Sequence, residues 1–301
     1  MATALSVTVV AAVAAAACGT AGSSPASGGA RTVAAATQTT AGPTGGSRLA
    51  TARAAVATFR DDLGNASSAF VADVGRLQGD LQAGDVVAAR RDELAAQAQF
   101  DQFRQLAGGD PINASAVDEL ATQVAPGQSF GGLHAVERDL WATPGGGVVQ
   151  ALADASGLEA QAPVTEYLLS KDAPAPEVIG TLAVDDLNWL DEQAVTEDQE
   201  TFSHLDAVDI AAAAGAAGTA YAAIAPLADR VAPTLSATVA GRIRAVLADV
   251  AALGPPTLTP DADLPAAGLM ALSRQADAAA AGLAQLSALL EPYGTGGGGD
   301  P

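Results

Sequence analysis

Val56-Ala57-Thr58-Phe59-Arg60-Asp61-Asp62-Leu63-Gly64-Asn65-Ala66-Ser67-Ser68-Ala69-Phe70-Val71-Ala72-Asp73-Val74-Gly75-Arg76-Leu77-Gln78-Gly79-Asp80-Leu81 decides the fold class. Its large or apolar positions, Val56, Phe59, Leu63, Ala66, Phe70, Val74, Leu77 and Leu81, recur in steps of three and four, which is one face of a long amphipathic helix. Gly84 ends that helix and Asp85 caps the next, which runs through Val87, Leu94, Ala98 and Phe103 towards Leu106 until Gly108-Gly109-Asp110-Pro111 stops it. The two predict an antiparallel hairpin.

Further helical pieces are expected over 115–124, 130–141 and 148–169, the last kinked or broken by Pro163. Lys171 to Glu177 alternates Pro174 and Pro176 with alanines, which a helix interior does not tolerate, and a domain boundary is placed there. Beyond it helices are expected over 177–193, 202–231 with a kink near Pro226, 234–253 and 263–290. No stretch alternates with period two, so the expected fold is all-α: two packed four-helix bundles over 49–172 and 173–292, then a Gly-rich tail over 293–301.

The N-terminus reads as processing signal rather than fold. Residues 1–17 are apolar and short for a membrane span, and Ala15-Ala16-Ala17-Cys18 is similar to the lipobox at which bacterial lipoprotein signals are cut and the cysteine acylated. Cys18, the one cysteine of the chain, is the expected lipidation site, and 18–48 the expected flexible tether to the outer face of the cell membrane. With no second cysteine, no intrachain disulfide can brace the fold. The 34 acidic against 14 basic residues give a formal charge of -20, which repels nucleic acid and attracts cations.

Both histidines lie among carboxylates. His134 and Glu137 are three positions apart on one expected helix face, so an imidazole and a carboxylate can reach one cation. Glu200 and His204 form an i,i+4 pair, with Asp206 and Asp209 on a neighbouring face, as a second acidic cluster.

Gly132-Leu133-His134-Ala135-Val136-Glu137, followed by Leu140-Trp141, resembles the GxHxxE signature of the imelysin family and its EfeO/EfeM-type relatives. Phe202-Ser203-His204-Leu205-Asp206-Ala207-Val208-Asp209 is similar to a second motif of the EfeO branch, Tyr-Ser-His-Thr-Asp-Leu-any-Asp. The resemblance covers about 53–290. It implies a two-bundle extracytoplasmic lipoprotein of an iron-uptake system, non-enzymatic, working beside an iron permease and a peroxidase-like partner. The implied site is an acidic cleft between the lobes, where His134, Glu137 and an oxygen ligand such as Asp101 hold ferrous or ferric ion; zinc and copper suit the same donors.

The chain departs from the family where Phe100-Asp101-Gln102-Phe103-Arg104 stands in place of Tyr-Glu-Arg-Ile-Glu. Arg104 replaces a glutamate, and facing Glu137 it would occupy the metal site by a salt bridge. Phe202, Leu205 and Ala213 replace the second motif's tyrosine, threonine and later asparagine. Two alternatives accompany the metal-binding reading: a surface scaffold lipoprotein that has lost the metal, and a metallopeptidase. The second lacks HExxH, a third histidine and any further cysteine.

Overall fold

The computed structural model describes residues 45–107, 116–143, 145–170, 174–196, 200–254 and 264–294. Among them every regular element is helical: α1 Gly45–Ala83, α2 Val86–Asp101, α3 Arg104–Ala107, α4 Leu133–Trp141, α5 Val148–Leu169, α6 Pro176–Thr196, α7 Ala207–Val231, α8 Pro233–Ala252 and α9 Ala266–Leu290, with short 3-10 turns at Ala121–Gln123 and Glu291–Tyr293. The expected signal segment 1–17, Cys18, the tether up to residue 44 and the end of the tail, 295–301, lie outside the described residues.

The long helix forms as its periodicity requires. Phe59, Leu63, Phe70, Val74, Leu77 and Leu81 are all at most 5% exposed. α1 lies against α2, α5 and α7, while α6 to α9 pack successively on one another and α6 returns against α9. Residues of both halves share one apolar core, from Phe70 and Phe100 to Leu187, Ile224 and Leu286, so no gap in the core falls at the expected boundary near 172. α7 is long and apolar enough to span a membrane, but 61% of its most apolar window is buried, which makes it the central core helix here.

Several elements differ from expectation for physical reasons. Helix α1 begins inside the expected tether because Arg48 donates to the Tyr293 hydroxyl at 3.3 Å and Arg230 donates to Ser47 Oγ at 2.7 Å, which ties its first turns to the body. That contact also orders Tyr293, expected in the tail. Pro163 and Pro226 lie inside continuous helices. Both are exposed, as are Glu159 and Ala222 four residues earlier, so each proline lies on the outer side of its helix. The second helix stops at Asp101, since the turn at Gln102-Phe103 buries Phe103 edge-on against Phe100 and Phe70, at 5.3 and 5.9 Å between ring centres. Gln102 Nε2 donates to the Ala212 carbonyl of α7 at 2.9 Å, fixing the turn.

The expected helix over 115–124 is broken into a short helical piece at 116–118 and the 3-10 turn, with extended backbone at Leu120. The helix expected from Phe202 begins only at Ala207. His204 has a φ of 56°, a left-handed conformation that closes the 200–206 segment into a turn, with its N–H donating to the Glu200 carbonyl at 2.7 Å.

Candidate metal centre

Helix α4 carries the core of the site. Leu133, His134, Ala135, Val136, Glu137, Asp139 and Leu140 are all buried, so this helix is covered on nearly every side, and its polar members must find partners inside. His134 and Glu137 are one turn apart, and His134 Nδ1 lies 3.2 Å from Glu137 Oε2. The other oxygen, Glu137 Oε1, accepts the backbone N–H groups of Phe202 at 2.9 Å and Ser203 at 2.7 Å. Those two donors point inward because of the left-handed His204 turn.

The same turn delivers Glu200. Its carboxylate is fully buried, with Oε2 accepting from Ser203 Oγ at 2.7 Å, and its own N–H donates to Asp206 Oδ1 at 3.1 Å. His134, Glu137 and Glu200 each place one ligand atom within 4.8 Å of the other two. Contraction by a few tenths of an ångström per ligand brings such atoms to the ~2.0–2.3 Å bonds of a transition metal.

The far side of the imidazole is held as well. His134 Nε2 lies 3.1 Å from Asp118 Oδ1, an ion-pair distance without the alignment of a hydrogen bond. A carboxylate there favours the proton on Nε2 and turns the Nδ1 lone pair towards Glu137 and Glu200, the usual support of a metal-bound histidine. Asp118 is seated by Gly132, the glycine of the GxHxxE pattern. At φ 84° it is left-handed, and a Cβ there would stand 2.6 Å from the Val117 carbonyl oxygen. Only glycine lets the 116–118 piece pack this close to the start of α4.

Helix α2 supplies the opposing wall. Glu93, Gln97 and Asp101, four apart, form an inward polar stripe that is at most 1% exposed. Gln97 Nε2 donates to both Asp101 Oδ1 and Asp118 Oδ1 at 3.2 Å. Glu93 Oε2 and Glu200 Oε1 have no hydrogen-bond partner among the described residues.

Six carboxylates, Glu93, Asp101, Asp118, Glu137, Glu200 and Asp209, thus gather around one imidazole and one guanidinium. Burial and the nearby Glu137 push the Glu200 carboxyl up to about 8. Burial, then Glu200 and Glu137, hold Glu93 well above the usual carboxylate range. Burial also tends to raise Asp118, but His134, Arg104 and Gln97 outweigh it and hold its carboxyl low. His134 loses by burial and gains more from Asp118 and Glu137, so its imidazolium is favoured well above 6.5. The cluster therefore keeps protons that a metal ion can replace.

The sequence expectations are corrected in three places. Asp101, whose Oδ1 is engaged by Gln97 and Arg104, each at 3.2 Å, lies outside the three-donor group, in which Glu200 stands with His134 and Glu137. The second cluster does not exist as a helical set: Glu200 joins His134, Asp206 braces the turn, Asp209 lies in the first turn of α7, and His204 is exposed. Arg104 pairs with Asp101 and stacks over Trp189, 3.4 Å from the ring centre, rather than with Glu137. Sequence reading missed Glu93 and Asp118. The polar i,i+4,i+8 stripe on an otherwise apolar-facing helix was a legible signal for Glu93, and Asp118 had none. No protein-family model matches the chain, and no curated protein matches it.

Proposed function

We propose that this chain is a metal-binding protein that holds a transition-metal ion on His134 Nδ1, Glu137 and Glu200, with iron its cargo. One observation carries the reading: three buried donors from segments more than sixty residues apart meet inside a cluster of buried acidic groups. Burying such carboxylates costs several kcal/mol per uncompensated ion, and a bound cation offsets that cost. Imidazole with carboxylates suits iron, and also zinc and copper.

The setting follows the resemblance to the EfeO/EfeM branch of the imelysin family. In it the chain is an exported lipoprotein anchored through Cys18, non-enzymatic, passing iron to a permease alongside a peroxidase-like partner. In that reading α1, α2, α4 and α5 would make up one bundle and α6 to α9 the other, with the metal held where α2, α4 and the turn before α7 meet. The test is metal content and calorimetric titration of the full chain with ferrous, ferric, zinc and cupric ions. One equivalent bound, lost in His134→Ala and Glu200→Ala, is expected; absence of binding by the wild type overturns the proposal.

A further inference from the structure

We infer, resting on the metal-binding reading above, that the 200–206 turn is the door of the metal centre: the ion enters and leaves when this turn swings away from α4, lifting Glu200 off His134 and Glu137. The centre is closed to solvent, with Glu137 and Glu200 fully buried and His134 only 2% exposed, so part of its wall must move before an ion can reach it. The turn is a single layer of chain. Thr201 and His204 are exposed while their neighbours Glu200 and Ser203 are fully buried, so its two sides face water and the donors.

The turn is also anchored differently from the rest of the wall. Val136 and Leu140 of α4, Phe100 of α2 and Val117 beside Asp118 all belong to the main apolar core. Leu205, the buried apolar residue of the turn, sits instead in a small separate cluster with Leu94 and Val208. A segment with few buried apolar contacts opens at a lower free energy than the core around it. Two of the bonds that hold the turn to α4 converge on one oxygen, since the Phe202 and Ser203 N–H groups both donate to Glu137 Oε1. Three others, from His204 N–H to the Glu200 carbonyl, from Glu200 N–H to Asp206 and from Ser203 Oγ to Glu200, lie within the turn itself. His204 is the pivot. Among the described residues no other non-glycine has a positive φ, and its return to the ordinary negative region unwinds the turn. One movement therefore withdraws one ligand and uncovers another.

Exchange kinetics of the full chain test this. Zinc uptake by the metal-free protein and zinc release into excess chelator are timed for wild type, for Leu205→Ala, which loosens the apolar seat, and for His204→Val, whose β-branched side chain resists a positive φ. Neither residue is a ligand, so each change weakens the closed turn equally with and without metal. Uptake and release should both quicken by about tenfold or more while affinity stays near that of wild type. His204→Val decides the matter if Leu205→Ala folds poorly. Backbone hydrogen exchange of the wild type needs no variant: without metal the Phe202 and Ser203 amides should exchange about tenfold or more faster than those of Val136 and Leu140, and zinc should slow them. Rates unchanged in both variants, or Phe202 and Ser203 amides as protected as α4, overturn the inference while zinc binding stands. Faster release with unchanged uptake overturns it too, because the turn would then hold the ligand without admitting the ion. A wild type that binds no zinc overturns the metal-binding reading and this inference with it.

Discussion

Glu137 Oε1 lies 2.7 Å from the backbone nitrogen of Ser203, sixty-six positions away in the chain. One carboxylate therefore does two jobs: it faces His134 with one oxygen and pins the Glu200 turn with the other. The donor group exists because these two tasks coincide in one side chain. Separating them experimentally separates metal chemistry from fold.

Glu137→Gln is the variant that does so. The amide oxygen still accepts from Phe202 and Ser203, so the metal-free protein should melt within a few degrees of wild type. The charged ligand is gone, and zinc or iron affinity should fall at least tenfold, about 1.4 kcal/mol. Glu137→Ala leaves two inward N–H groups unpaired, a cost of about 1–3 kcal/mol each, partly offset by relief of the repulsion with Glu200 and Glu93. Calorimetric titration and thermal melts of both variants check this; equal affinity in Glu137→Gln and wild type would remove Glu137 from the ligand set.

Gly132→Ala should damage the site without touching a ligand. The added Cβ meets the Val117 carbonyl and the residue is held at φ 84°, so the 116–118 piece must move and take Asp118 off His134. A loss of about 1–3 kcal/mol in urea unfolding is expected from the strained backbone, together with weaker metal binding. Stability lost with affinity intact would show that Asp118 does not orient the imidazole.

The metal-free protein should lose stability as pH rises from about 5 to 8. The folded-state value of Glu200, about 8, is above its ordinary 4.5, so its contribution is fully present below about 4.5 and is lost as pH climbs through 8. Glu93, Asp209 and His134 shift upward and act in the same direction, while the lowered Asp118 is lost only as pH falls below the usual carboxylate range. Glu200 alone makes this dependence a matter of kcal/mol rather than tenths. Glu200→Gln should flatten the dependence, and saturating zinc should reverse it. A melting temperature that stays flat from pH 5 to 8 in the metal-free wild type would contradict the assignment.

The helices were legible because each is written in its own residues: the Val56–Leu81 stripe places α1, and Gly84 with the capping Asp85 separates it from α2. His134 and Glu137 were legible for the same reason, being one turn apart on one helix. Glu200 was visible as an acid but assigned to a helix, because Glu200 to Asp209 carries helix-like spacing. Its turn depends on His204 adopting a left-handed conformation, and that is stabilised by Glu137, which lies elsewhere in the chain. The role of Arg104 depends on Trp189 of α6, a partner no local spacing announces. Local periodicity fixes elements; the meeting of distant polar groups is decided by packing.

Arg104 gives the last prediction. Reading the family pattern alone, Arg104→Glu restores a carboxylate and should raise iron affinity. In the structure the guanidinium is the counter-ion of Asp101, lies over Trp189, and lowers the charge cost of Asp186 and Asp209 as well. A glutamate there adds a further negative charge to three buried acids, so the metal-free variant should be destabilised by about 3 kcal/mol or more at neutral pH, the cost of leaving buried charges unpaired. Arg104→Met keeps most of the apolar contact with Trp189 and should cost less. Because Asp101 and Asp186 can take up protons, the loss should shrink towards pH 5. A cation supplies the missing charge, so metal should restore Arg104→Glu more than it stabilises wild type, and apparent affinity should rise even though the apo fold is weaker. Urea unfolding of wild type, Arg104→Met and Arg104→Glu, at pH 5 and 7 with and without zinc, measures each of these differences. An Arg104→Glu protein as stable as wild type at pH 7 without metal would mean that Asp101 does not depend on this guanidinium for its charge.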